Sequence, residues 1–325
     1  MSPRLKSAVT RFLKITIPLF LGIIILYFLY KGTNFKELWA TIRTVNWGIL
    51  SFSLLFGLSG NVIRGLRWGV IIKPLGYNPK KSNLIYAVLG NYAINFALPR
   101  IGEIWRCTVI AKEEKIPFQK LIGTLIVDRV FDMIMVILIT LLAFSLNVKE
   151  FYRNSHAFDI PGVFVSVSFY VYLFLALFLV VLVFVLFKEN KIVKKVRLFF
   201  ADLWKDMTVV RKMKEKNRFV LYTFGIWVSY FFYFFITFFA FDFTYHLGFS
   251  AALFVYAISS ISMGIPSNGG LGPWQAAVVV GLCAFFVGSE DAKAFATAVF
   301  AFQSIWVVLC GLFGITMLSV KRKKI

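Results

Sequence analysis

The stretch Ile258–Phe286, ISSISMGIPSNGGLGPWQAAVVVGLCAFF, decides the fold. Two apolar limbs flank Pro266, Ser267, Asn268, Gly269, Gly270, Leu271, Gly272 and Pro273, so the backbone must break inside a segment that otherwise belongs in lipid. Non-helical backbone at membrane depth persists only where it is buried in protein or lines a polar cavity. The stretch is therefore either half of a working site, in the manner of the broken helices of transporters, or a plain turn between two membrane helices.

The rest of the composition agrees with a lipid setting. Of 325 residues, 59% are hydrophobic and 18% aromatic, and the mean hydropathy of +0.79 lies outside the soluble range. The chain reads as an all-α polytopic membrane protein. A net charge of +21 would suggest nucleic acid in a soluble protein, but the basic residues crowd into loops between apolar runs. That is the positive-inside pattern, and no nucleic-acid partner is expected. Cys107, Cys283 and Cys310 lie in apolar surroundings without CxxC spacing, and His156 and His246 lack metal-ligand partners at helical spacing. No nucleophile elbow, HExxH, Walker loop or dinucleotide fingerprint occurs, so no metal, cofactor or enzymatic activity is expected.

Working outward, six full spans are expected at about 15–30, 47–68, 121–146, 162–187, 219–241 and 295–319. A short amphipathic helix within 31–46 would lie on the outer surface. Eleven basic residues against four acids between Lys188 and Arg218 mark a cytoplasmic loop, part of it amphipathic and lying on the inner leaflet. The basic start before Ile15 and the terminal Lys321–Lys324 place both termini inside.

A second interruption lies at Leu84–Ala111, where about fifteen apolar residues stop at Pro99 and a new helix begins through RIGEIWRCTVIA. Loop charges put both ends of this segment inside and both ends of the segment at 251–288 outside. Each is then a re-entrant-type hairpin, one from either face. Repeat 1 (about 1–146) and repeat 2 (about 162–325), joined by a loop at 147–161, become an inverted repeat, the arrangement that points to a transporter-like site. Two half-helix amino termini, near Arg100–Arg106 and Gly269–Gln275, would face each other and favour a phosphate or carboxylate. Gly269, Gly270 and Gly272 would let backbone approach such a headgroup, unless Ser267 or Asn268 merely caps the helix. Charged residues inside the spans complete the candidates. Arg64, Arg67 and Arg106 either join a polar site or snorkel to the inner interface. Glu103, Asp128, Arg129 and Asp132 favour a polar site, with Asp128 and Asp132 on one helical face and Arg129 able to pair with Asp132.

Three motifs together, RGLRW at 64–68, ALPRIGEIWRCTVIAKEEKIPFQKLIGTLIVDRVFDMI at 97–134 and IPSNGGLGPWQAAVV at 265–279, resemble the flippase-like transmembrane domain of lysylphosphatidylglycerol synthases. The resemblance covers most of the chain and implies a stand-alone member without the soluble synthase domain, in a bacterial or archaeal plasma membrane. It implies a protein that translocates an anionic or aminoacylated lipid. The positions it carries are Arg64, Arg67, Pro99, Gly102, Glu103, Arg106, Arg129, Asp132, Pro266, Gly269, Gly270 and Gly272. One position departs: where the family commonly has an acidic residue, three after the last glycine, this chain has Gln275.

The expected function is therefore flipping of a lipid headgroup through a groove between the two hairpins. Membrane lipids are the expected partners, anionic phospholipid or a polyprenyl-linked headgroup, and self-association is left open. The expected site comprises Arg64, Arg67, Pro99, Arg100, Gly102, Glu103, Arg106, Asp128, Arg129, Asp132, Asn268, Gly269, Gly270, Gly272 and Gln275. Two alternatives stand: a small-anion or ion-coupled transporter, and a membrane-embedded transferase in which Asp128 and Asp132 do the chemistry.

Overall fold

A computed structural model describes residues 3–154 and 214–322. Every regular element among them is helical. Helix α1 (Pro3–Tyr30) leads to α2 (Phe35–Arg43), which turns away from the second half of α1 by 94°. Asn34 starts α2, its side chain accepting from the Lys36 amide at 3.1 Å. Asn46 likewise starts α3 (Trp47–Ile72), accepting from the Ile49 amide at 3.2 Å. Then come α4 (Lys81–Ala97), α5 (Ile101–Glu113) and α6 (Phe118–Asn154). After the undescribed stretch follow α7 (Lys216–Phe235), with a 3-10 extension to Ala240, α8 (Phe249–Ser262), α9 (Pro273–Cys283) and α10 (Ser289–Arg322).

Three of these are long and apolar enough to cross a membrane: α3 with its 3-10 continuation, α7 with its own, and α10. The bent pair formed by Pro18–Tyr30 and α2 makes a fourth if its two limbs are taken as one span. Helix α6 has the length, 37 residues, but holds Asp128, Arg129 and Asp132 in its first half. Large apolar side chains stand outward along these helices, among them Phe28, Met133, Leu221 and Ile305, each more than 60% exposed. In water such a surface would be an aggregation hazard, whereas in hydrocarbon it meets its own kind.

One expectation changes. Helix α6 runs on to Asn154, so the chain from 147 to 154 is not loop; after Gly123 no proline or glycine occurs before Pro161. The expected span at 162–187 and most of the basic loop at 188–218 lie outside the described residues.

Residues 1–143 and 217–325 form one compact unit; the second, 144–216, is described only at its two ends. Two groups of buried side chains stand out among the described residues of the first unit. Trp68 and Ile72 of α3, Leu84, Ala87 and Val88 of α4, Cys107 and Ile110 of α5, and Leu121 and Leu125 of α6 form one. The other is aromatic: Phe234 and Phe238 of α7 and its extension meet Phe295 of α10 edge to face, 6.1 and 5.4 Å between centroids. Helix α10 lies along α4 at close range. A Cβ on Gly314 would stand 2.6 Å from the Tyr86 carbonyl, so small residues set this crossing as they do in many membrane bundles.

Candidate functional site

The first interruption is a tight turn. The Ile101 amide donates to the Leu98 carbonyl at 3.2 Å, with Pro99 and Arg100 between them. Proline suits the first inner position of such a turn, and a positive φ is needed at the second, normally supplied by glycine. Here Arg100 occupies it with φ 62°, a conformation costing a non-glycine residue about 1 kcal/mol. The strain has a visible counterpart: Arg100 Nη2 donates to the Gly264 carbonyl at 2.6 Å.

Gly264 belongs to the second interruption, residues 263–272, and this contact is one of several. Asn268 Nδ2 donates back to the carbonyls of Phe96 at 3.1 Å and Ala97 at 3.4 Å. The two breaks thus clasp each other through side chain to backbone bonds, each supplying acceptors that a broken helix leaves unpaired.

The glycines of the second break are not open to a headgroup. Gly269 and Gly270 have φ of 61° and 92°, and the space where a Cβ would stand is filled by the Phe96 ring and by Met263 Sδ respectively. Gly272, with φ 89°, lies against α1, where an added Cβ would be 2.6 Å from the Gly22 carbonyl. They permit close protein packing. Nor do Ser267 and Asn268 cap α9: Gln275 does, its Oε1 accepting from the Gly272 amide at 2.6 Å. Gln275 is buried and committed to that bond.

The amino terminus of α5 is likewise closed from within, since the Gly102 amide donates to Asn95 Oδ1 at 2.9 Å. A Cβ on Gly102 would collide with the Asn91 carbonyl, so only glycine lets α4 and α5 lie this close. Beside it the Asn91 amide is buried with neither polar atom partnered among the described residues.

One turn further on begins a buried charge network. Arg64 and Arg67 of α3 do not snorkel: they are 4% and 0% exposed and reach into α6. Arg64 Nη1 donates to Asp132 Oδ2 at 2.6 Å; Arg67 Nε and Nη2 both grasp Asp128 Oδ1, at 2.9 and 2.6 Å, and Nη2 also reaches Asp132 Oδ1 at 2.7 Å. Arg106 of α5, fully buried, donates to Asp128 Oδ2 at 3.1 Å and stacks over the Trp68 ring at 4.7 Å. Arg129 pairs with Asp132 at 3.4 Å, as its spacing predicts, but its shorter bond, 2.5 Å, is to Glu103 on the first turn of α5. Seven of the expected residues, Arg64, Arg67, Glu103, Arg106, Asp128, Arg129 and Asp132, form one continuous cluster. The two aspartates are shared and fully engaged, as buried charges must be.

Sequence reasoning missed the neutral members. Tyr230 of α7 donates to Asn61 Oδ1 at 2.7 Å, accepts from Arg64 Nε at 3.3 Å and meets the Tyr92 hydroxyl at 3.0 Å. Thr223 accepts from Arg67 Nη1 at 3.4 Å. A signal for one of them existed: Asn61, Arg64 and Arg67 recur every third residue of an apolar span and so share a face. Tyr230, inside the run SYFFYFF, carries no such mark.

With this geometry in hand, residues 15–311 match the family described as the lysylphosphatidylglycerol synthase TM region. The chain belongs to that family. Among curated proteins, a UPF0104 membrane protein of Methanocaldococcus jannaschii is 36% identical over 96 residues, which is 29% of this chain and 28% of that relative. The match spans under a third of the relative's length. No solved structure matches the chain. As a member of the family the protein is a multi-pass membrane protein, and its transmembrane region contains both the clasped breaks and the charge network.

Proposed function

We propose that the protein translocates an anionic or aminoacylated lipid across the plasma membrane, the headgroup moving along the groove between the two hairpins while the acyl chains stay in lipid. The observation that carries this reading is the clasp. Arg100 with Gly264, and Asn268 with Phe96 and Ala97, join two interrupted helices at their polar ends, and Glu103, three residues after Arg100, leads from that junction into a cluster of four arginines and two further carboxylates. A polar path bordered by outward apolar helices is what an amphiphile needs. In this reading the two hairpins are corresponding parts of an inverted repeat, and both termini are cytoplasmic.

The carboxylates act as counter-ions to Arg64, Arg67 and Arg106. All four oxygens of Asp128 and Asp132 accept from arginine, which leaves neither as the free base that a transferase would use. A solute carrier would use the same charges, and access from lipid distinguishes the two.

The test is lipid movement in proteoliposomes, read from a fluorescent anionic lipid. Acceleration over empty vesicles is expected, reduced in Arg100→Ala and Glu103→Gln with the protein still folded. No acceleration for any anionic lipid tried defeats the reading.

A further inference from the structure

The charge network is unevenly held, and its loose corner has the form of a ligand site. Arg64, Arg67, Arg106, Asp128 and Asp132 have side chains no more than 9% exposed, whereas Arg129 and Glu103 are 37% and 26% exposed. Four guanidiniums meet three carboxylates, leaving the cluster one formal positive charge in surplus. Asp132 already holds Arg64 at 2.6 Å and Arg67 at 2.7 Å, so its 3.4 Å contact with Arg129 is the weakest of the set.

The use of donor edges is more telling. Arg67 turns its Nε and Nη2 edge fully onto Asp128. Arg129 offers the same edge but only Nη2 is taken, by Glu103; its Nε is buried with no partner among the described residues. A guanidinium binds an oxyanion best through two parallel donors, and a phosphate group has the oxygens to take both.

We propose that Glu103 is a resident stand-in for the ligand, and that a phosphate oxyanion displaces it from Arg129. The incoming group takes Nη2 and the unused Nε, and its negative charge replaces that of the displaced carboxylate beside Arg129. The displaced carboxylate lies on the first turn after the Pro99–Arg100 turn, at the edge of the clasp, and is partly exposed already. The inference rests on the translocase reading for the source of the phosphate: a lipid phosphodiester by preference, with free inorganic phosphate as the other source of the same chemistry.

Removing the competitor should tighten binding, the reverse of what loss of a ligating residue does. The full chain in phosphatidylcholine nanodiscs is titrated with dihexanoyl phosphatidylglycerol in one arm and inorganic phosphate in the other. Glu103→Gln is expected to bind about tenfold more tightly than wild type. A gain in the first arm alone assigns the site to lipid, and a gain with inorganic phosphate assigns it to the free anion as well; both support the stand-in role. The gain must vanish in Glu103→Gln/Arg129→Gln. Binding by Glu103→Gln no tighter than by wild type in either arm, or a gain that survives the second substitution, overturns the proposal. Should Glu103→Gln fail to fold, Glu103→Asp, which withdraws the carboxylate by one methylene, must still gain affinity. Wild type that moves lipid while the variants gain nothing removes the stand-in role alone. A gain in Glu103→Gln with wild type moving no lipid removes the translocase reading alone.

Discussion

The two interrupted hairpins solve one problem by opposite means. The first turns in three residues, Leu98–Arg100, and holds a strained arginine; the second takes ten, 263–272, with glycines at three left-handed positions and no charge. Helix α5 then contributes Glu103 and Arg106 to the ion network, while α9 spends its one polar side chain, Gln275, on its own first turn. Similar interruptions in hydropathy therefore do different jobs. The first hairpin carries the ionic chemistry, and the second supplies backbone carbonyls and fit.

That division can be broken at its most heavily loaded point. Asp128→Asn leaves Arg106 buried without its counter-charge and Arg67 with Asp132 alone, and is expected to destabilise by about 3–5 kcal/mol, read as thermal unfolding in detergent. A variant that melts like wild type would mean that the first hairpin's charges are not structurally coupled to α6.

A smaller effect separates strain from clasp. Arg100→Gly relieves the left-handed backbone while deleting the bond to Gly264, and Arg100→Ala deletes the bond and keeps the strain. The glycine variant should be the more stable of the two by about 1 kcal/mol, with transport lowered in both. Equal transport by wild type and the glycine variant would reduce the clasp to a packing detail.

The last change is Gln275→Glu. The Gly272 amide keeps an acceptor and the carboxylate gains from the helix dipole, which offsets only part of the cost of burying its charge, so a net loss of about 1 kcal/mol is expected. Uptake of an aminoacylated lipid relative to a plain anionic one measures whether a charge in the second hairpin alters choice.

Much of this was legible in the residues because it is local. Apolar runs, breaks at Pro99 and Pro266–Pro273, and buried charge types follow from composition and periodicity within a few turns. The partnerships do not: Arg64 finds Asp132 across 68 positions and Tyr230 across 166, and no local rule chooses between such pairing and snorkelling. The glycines mislead for the same reason. A missing Cβ announces close approach without saying what approaches, and for Gly269 it is the Phe96 ring. Gln275 reads as a lost carboxylate in sequence and as a satisfied helix cap in space.

The clasp also sets an order of assembly. Arg100 and its acceptor Gly264 are 164 residues apart, which at ordinary synthesis rates separates their emergence by about 10–30 s. For that interval the Arg100 side chain lacks the Gly264 carbonyl, and the Phe96 and Ala97 carbonyls lack the Asn268 donor. The junction at the heart of the candidate site is thus a late closure in the making of the protein, and a chain halted before α8 would present its first break to the bilayer uncovered.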